Sequence, residues 1–260
     1  MLLAVDVGNT ETMLGVFRGQ DLLRTWRMAT DPDRTPDEFS LLFGGFLGQE
    51  GLSFSKEITG VVLSSVVPAS TQALREMTEA AFGFPALVLE PGIRTGIAIL
   101  IDNPREVGAD RIANAIAAHA RYGGPCIVVD FGTATNFDVV TERGEYLGGV
   151  LAPGLQVAAE ALYRAAAKLT PVELRAPTRV IGRGTAEALR SGLVFGAAAA
   201  VDGLVDRIRD ELGSPAEVVA TGGLAPVVVP HCRTVDHHDP WLTLEGLRLV
   251  FERNAGPRDA

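Results

Sequence analysis

Two carboxylates in this chain each lead into a glycine turn, and their surroundings suit phosphate chemistry. In Val128-Val129-Asp130-Phe131-Gly132-Thr133-Ala134-Thr135-Asn136-Phe137 an apolar run reaches Asp130, a glycine follows among small hydroxyl residues, and a second alternating run begins. That order reads as strand, tight turn, strand, with Gly132 supplying the backbone freedom of the turn. Exposed N–H groups of such a turn form a concave anion site. Asp130, at the strand end beside it, is a carboxylate suited to holding a cation. The N-terminus repeats the device in Leu3-Ala4-Val5-Asp6-Val7-Gly8-Asn9-Thr10-Glu11-Thr12-Met13. Asp130 lies 124 residues beyond Asp6, close to half of the 260-residue chain. Superposing the two aspartates also places Gly8 on Gly132 and Thr12 opposite Asn136. Each hairpin alone is also ordinary turn chemistry. As a pair they predict two similar domains facing each other, with phosphates between them.

A third carboxylate stands in Gly108-Ala109-Asp110-Arg111, just ahead of a run with Ile112, Ala115, Ile116 and His119 at helical spacing. As structure, Asp110 is a helix N-cap. As chemistry, it is a group that can receive the proton of a hydroxyl attacking a phosphoryl group. Thr185 reads as a cap ahead of Ala186-Glu187-Ala188-Leu189, and Thr221-Gly222-Gly223 follows a strand. His231, Cys232, His237, His238 and Asp239 resemble metal ligands in type, but their spacing fits no usual zinc pattern, and Pro230 and Pro240 mark a loop. Trp26 and Trp241 read as core or interface aromatics.

The elements that must position these groups follow from periodicity. Residues 2–7, 12–18 and 21–29 read as three consecutive strands, and Thr35 with Pro36, Asp37 and Glu38 as the start of a helix to about Gln49. Ile58–Ser64 reads as a strand, Pro68–Phe82 as a helix and Ala86–Leu89 as a strand. Arg111–Tyr122 is expected to be helical, stopped by Gly123-Gly124-Pro125. Strands at 126–131, 134–141 and 145–151 repeat the opening, and Pro153-Gly154 leads into an Ala-rich helix to about Lys168. Residues 183–212 are expected to form two helices, Ala216–Ala220 a strand and Leu242–Arg253 a closing helix.

The motifs Asp6-Val7-Gly8-Asn9-Thr10, Gly108-Ala109-Asp110-Arg111 and Asp130-Phe131-Gly132-Thr133-Ala134-Thr135 together resemble type III pantothenate kinases, within the superfamily of actin, heat-shock chaperones and sugar kinases. Ser64-Ser65-Val66-Val67-Pro68, Gly148-Gly149-Val150-Leu151-Ala152-Pro153-Gly154, Thr221-Gly222-Gly223 and Leu244-Glu245-Gly246-Leu247-Arg248 extend the likeness in family order. The resemblance implies an α/β chain of two ribonuclease-H-like domains of the actin-like ATPase type with a nucleotide cleft between them, expected at 1–110 and 111–260. It implies ATP-dependent phosphorylation of pantothenate to 4'-phosphopantothenate, the first step of coenzyme A biosynthesis, with Asp110 as general base. Asp6, Val7, Gly8, Asn9, Thr10, Glu11, Thr12 and Met13 then match the ATP phosphate loop, Thr133 a second phosphate contact, and Gly222 and Gly223 the loop under the adenine. Gly108, Ala109, Asp110, Arg111 and Thr185 match pantothenate contacts. Asp130 matches the ligand of a monovalent cation, potassium or ammonium, while Mg²⁺ is expected to travel with ATP. Where the family carries Tyr, nine residues before the base, this chain has Ile101, which makes that wall of the substrate site more apolar. A homodimer is also implied, with small-residue faces at Val157–Ala167 and Leu193–Val201 as its material. A phosphatase of the same superfamily and a non-catalytic nucleotide-dependent regulator are the alternatives.

Composition narrows the partners. The net charge of −9 and pI near 5.0 lack the basic footprint expected for nucleic acid, and an anionic substrate must be held by local N–H groups and metal rather than by the global field. Glycine is 29 of 260 residues, about 11% against a usual roughly 7%, which fits many tight turns. Only Cys126 and Cys232 occur, as expected for a reducing compartment. No basic leader precedes the first strand and no window of about 18 uninterrupted apolar residues is present, so a cytoplasmic protein off the membrane is expected.

Overall fold

The computed structural model describes residues 1–54 and 56–255. The chain divides into two compact units: one comprises Met1–Ile97, Asp102–Ala117 and the closing segment from Leu242, the other Ala98–Ile101 and Ala118–Trp241. The division expected after residue 110 is therefore not where the units part. The chain crosses more than once, because the C-terminal segment buries its apolar face in the first unit.

The first unit opens with β1 (Leu2–Val7), β2 (Glu11–Arg18) and β3 (Asp21–Ala29), an antiparallel meander. Then come α1 (Pro36–Gln49), β4 (Gly60–Ser65), α2 (Pro68–Phe82) and β5 (Leu87–Val88). The sheet order is β3-β2-β1-β4-β5, with β1–β4 and β4–β5 parallel. Thr35 caps α1 by a full capping box with Glu38, and Pro36 occupies the first turn, where its missing N–H costs nothing. Phe39, Phe43 and Leu47 recur at helical spacing and pack with Leu3, Val5, Leu14, Leu63 and Leu74 as one core. Trp26 stacks on Phe46 at 5.9 Å between ring centroids.

The second unit repeats this topology. After β6 (Ala98–Ile99), α3 (Ala109–Tyr122) carries the chain across. There follow β7 (Cys126–Phe131), β8 (Ala134–Val140), β9 (Glu145–Pro153), α4 (Leu155–Ala165), α5 (Thr185–Leu212), β10 (Glu217–Thr221), the short α6 (Ala225–Val228) and β11 (His237–His238). The order is β11-β10-β7-β8-β9-β6, so β9-β8-β7-β10-β11 matches the first sheet strand for strand, with β6 added outside β9. Ile127, Val129, Phe137, Val201, Val205 and Val218 anchor its core.

Where two helices are expected over 183–212, Thr185–Leu212 forms one 28-residue helix. Gly192, Gly196 and Gly203 meet nothing within 4 Å at a built Cβ and none has a positive φ, so each lowers helix propensity without ending the helix. By length and composition α5 could cross a membrane, yet Val194, Ala198, Val201 and Val205 are buried along one of its faces.

The closing helix α7 (Leu242–Asn254) returns to the first unit, burying Leu242, Leu244, Leu247 and Val250. A Cβ at Gly246 would stand 2.0 Å from the Ala113 carbonyl oxygen, so α7 and α3 touch backbone to backbone there. The Thr243 hydroxyl donates to Asn114 Oδ1 at 2.7 Å, and Asn114 is fully buried. These contacts fix the start of α3.

Candidate active site

In the first unit, Asp6 lies next to last in β1, in register with Met13 of β2 and Ser64 of β4. The turn after it is closed by the Gly8 N–H donating to the Glu11 carbonyl at 3.0 Å. Asn9, Thr10 and Glu11 are exposed at its tip. The flanking residues differ: Val7 is 0% and Thr12 1% exposed, because strand alternation turns both side chains inward. Among the eight residues matched to a phosphate loop, those two can therefore offer a phosphate only their backbone.

In the second unit, Asp130 pairs with Asn136 of β8 and with Thr221 of β10. Here the turn is one residue shorter, with Gly132 N–H bonded to the Ala134 carbonyl at 3.0 Å. The expected equivalence of Thr12 with Asn136 is corrected by the ladders. Thr12 faces Val7, and its counterpart across from Phe131 is Thr135. The extra residue in the first turn shifts the equivalence by one. Thr133 is exposed at the tip, and its carbonyl accepts from the Gly154 N–H at 3.2 Å.

Gly222 sits directly on Asp130. Its φ is +94°, and a Cβ there would stand 2.5 Å from Asp130 Oδ1 and 2.6 Å from the Phe131 backbone nitrogen. Only glycine fits such a position, so the Gly222-Gly223 loop and the Asp130 carboxylate form one assembly. Asn136 Oδ1, buried beside Asp130 in the ladder, has no hydrogen-bond partner among the described residues. A carboxylate and an unpaired amide oxygen on neighbouring strands are the hard-oxygen donors a monovalent or divalent cation prefers, so the residues fit a cation.

Asp110 is not the helix cap. α3 begins at Ala109, the Ile112 N–H bonds to the Gly108 carbonyl, and Asp110 occupies the first turn, where its Oδ1 accepts from the Arg111 N–H at 2.9 Å. Burial pushes its carboxyl above the ordinary 3.8, although the Arg111 N–H and guanidinium pull the other way. A helix N-terminus favours anions, yet desolvation wins. The carboxylate is thus a stronger base than a surface aspartate. A Cβ on Gly108 would meet Asp110 Oδ1 at 2.4 Å, so the motif glycine leaves room for the carboxylate. Gly108, Ala109, Asp110 and Arg111 are brought together at one helix start.

Thr185 and Ile101 lie in the other unit. Thr185 is the first residue of α5, behind Gly184 at the cap position, so it does not cap the helix as a local reading suggests. It lines an apolar groove of about 700 Å³ between α4 and α5 with Ala158, Leu162, Ala188 and Leu189. The Ile101 side chain points at Gly148, 3.3 Å from where a Cβ would be. The histidine-rich loop has structural partners instead. His237 bonds Glu217 at 3.0 Å and stacks on Tyr122, and Asp239 receives Arg121 at 2.7 Å. Among the described residues no group of three or more His, Cys, Asp or Glu is arranged to hold a metal.

Sequence reasoning missed Thr30, Asn136, Asn114 and Thr243. Only Asn136, in an alternating strand beside a carboxylate, carried a local signal.

Comparison with known proteins places these features in a family. The sequence profile of type III pantothenate kinases matches residues 2–207. The type III pantothenate kinase of Frankia alni is 58% identical over 255 residues, covering 98% of this chain and 100% of its own. That of Moorella thermoacetica is 52% identical over 254 residues, covering 98% and 100%. Among solved structures, component A of (R)-2-hydroxyglutaryl-CoA dehydratase from Acidaminococcus fermentans aligns with a TM-score of 0.57 at 16% identity, over 95% of this chain and 94% of that one. A ROK hexokinase from Thermus thermophilus aligns with a TM-score of 0.50 at 16% identity, over 96% and 97%. At such low identity the structural likeness speaks for the fold alone, the two-domain α/β fold of actin-like ATPases. The near-complete sequence matches go further: this chain belongs to the type III pantothenate kinase family.

Proposed function

We propose that this protein transfers the γ-phosphoryl group of ATP to the primary hydroxyl of pantothenate, giving 4'-phosphopantothenate and ADP, with Asp110 as general base. The observation that carries the assignment of the base is the raised proton affinity of a partly buried carboxylate held at the start of α3. As the hydroxyl oxygen bonds to the γ-phosphorus, the bond to the bridging oxygen breaks and ADP departs, and the hydroxyl proton passes to Asp110. A base whose pKa has moved toward neutrality is better matched to that transfer. Arg111 carries a guanidinium fork suited to the pantothenate carboxylate, and the family resemblance assigns Gly108, Ala109, Thr185 and Ile101 as further pantothenate contacts. Turn amides of Gly8, Asn9 and Thr10, with Thr133, would hold the phosphates, and Gly222-Gly223 would lie under the adenine. Asp130 and Asn136 supply oxygens for potassium or ammonium, which would offset phosphate charge when bound, and Mg²⁺ would arrive with ATP. ATP supply and the two free thiols suit the cytoplasm.

We also assign a homodimer to the α4–α5 face, where the exposed Leu162 lines the apolar groove with Ala161, Gly192 and Leu193. Specific activity falling with dimer content on dilution, followed by light scattering, is the expected result; a fully active monomer would remove this assignment.

ADP release measured with and without pantothenate, in potassium and in sodium, tests the reading. Release only with pantothenate, and faster in potassium, is expected. Equal release without pantothenate would mark a phosphohydrolase, and no release at all a regulator.

A further inference from the structure

We infer that Thr30 is a positioning residue for ATP, a latch that fixes the first phosphate hairpin from the neighbouring strand. The inference rests on the reading of Asp6–Met13 as the phosphate loop. The three-residue turn Gly8-Asn9-Thr10 between β1 and β2 is exposed at its tip, and the Gly8 N–H closes it on the Glu11 carbonyl. The aim of its amides depends on what holds the strand on its C-terminal side. Thr30 follows the last residue of β3, where the β2–β3 ladder ends at Glu11 and Ala29. Its backbone N–H donates to the Thr10 carbonyl at 2.9 Å, which extends pairing onto the turn. Its hydroxyl bonds the Thr12 hydroxyl at 2.8 Å, either being able to donate. Thr12 is buried, so without Thr30 its hydroxyl would be left in the core short of that partner, a costly state.

Two bonds from one residue thus bracket the turn on its C-terminal side, one to its last member and one to the strand below it. The second hairpin supports this logic by contrast. Its turn is a residue shorter, and a backbone bond from Gly154 to the Thr133 carbonyl reaches the corresponding place. Thr30 touches no candidate catalytic group. Its effect would come through the aim of the Asn9 and Thr10 amides, and so would fall on ATP alone.

The test is steady-state kinetics of Thr30→Val, which keeps the shape and the backbone bond but removes the hydroxyl. KM for ATP is expected to rise about five- to tenfold, the worth of roughly one hydrogen bond. KM for pantothenate should stay within about twofold, and Thr30→Ser should restore the ATP value. Both KM values rising together, or an unchanged KM for ATP with a lower Tm, would show that Thr30 is only structural. Asn9→Pro, which removes a turn amide, serves as the companion. If Asn9→Pro weakens ATP and Thr30→Val does not, the latch is wrong and the phosphate loop stands. If neither changes KM for ATP, both are overturned.

Discussion

The two hairpins began as copies of one device and are held by different means. The first has a three-residue turn steadied by a threonine side chain and a backbone bond from Thr30. The second has a two-residue turn, and the Gly154 main chain packs directly on the main chain of that turn. A Cβ on Gly154 would lie 2.2 Å from the Thr133 carbonyl oxygen and 2.6 Å from that of Gly132, whereas one on Gly8 would stand 3.1 Å from the Glu11 carbonyl oxygen, a tight contact but not an overlap. On the proposed reading the longer turn offers the amides at its tip to a polyphosphate. The shorter one is packed rigidly, with Asp130, Asn136 and Gly222 beside it. The lesson is that a shared topology can carry two turns that differ by one residue and are packed by different neighbours.

If the hairpins only hold phosphate, removing the base elsewhere must stop the chemistry without loosening nucleotide. Asp110→Asn should lower kcat by about 10²–10⁴-fold while ATP affinity, read by calorimetry, changes little. Retention of more than about a tenth of wild-type activity would return Asp110 to a structural role.

The difference in packing between the hairpins predicts unequal tolerance to the same substitution. Gly154→Ala should destabilise by about 3 kcal/mol, since backbone must move, and Gly8→Ala by less than about 1 kcal/mol. Urea denaturation of the two variants measures this; equal losses would erase the distinction.

A cation, if it belongs to the second hairpin only, should answer to Asp130 and not to Asp6. At fixed ionic strength, activity is expected to be higher in potassium or ammonium than in sodium, and Asp130→Ala should flatten the response. An unchanged response in that variant would detach the cation from Asp130.

The smallest effect concerns pH. Because the folded pKa of Asp110 is raised above 3.8, the folded state holds its proton more tightly than the unfolded chain does. Its contribution therefore favours folding at low pH and is lost as pH rises through the folded value. Relative to wild type, Asp110→Asn should gain stability as pH rises above 3.8 through the raised folded value, seen as a rising Tm difference. The acid limb of kcat/KM should likewise fall above 3.8. A flat Tm difference would mean that burial does not perturb this group.

Much of the fold was legible because alternation and turn chemistry are local. The three opening strands of each half, the capped start of α1 and the helix after Asp110 all follow from neighbours a few residues apart. β6 and β11 escaped notice, since two-residue strands carry no period. α5 was expected as two helices because glycines suggested a break, but without a positive φ or a proline the apolar face runs on. By itself the sequence determined the repeated hairpins, the carboxylates at 6, 110 and 130, and the family those motifs spell. Tertiary structure decided the rest. It sent α7 back to the first unit, set Gly222 against Asp130, moved the equivalent of Thr12 from Asn136 to Thr135 and brought Thr30 to Thr12. Each of these joins residues far apart in the chain or hangs on one residue of register, and burial and hydrogen bonding across strands, not local propensity, select such contacts.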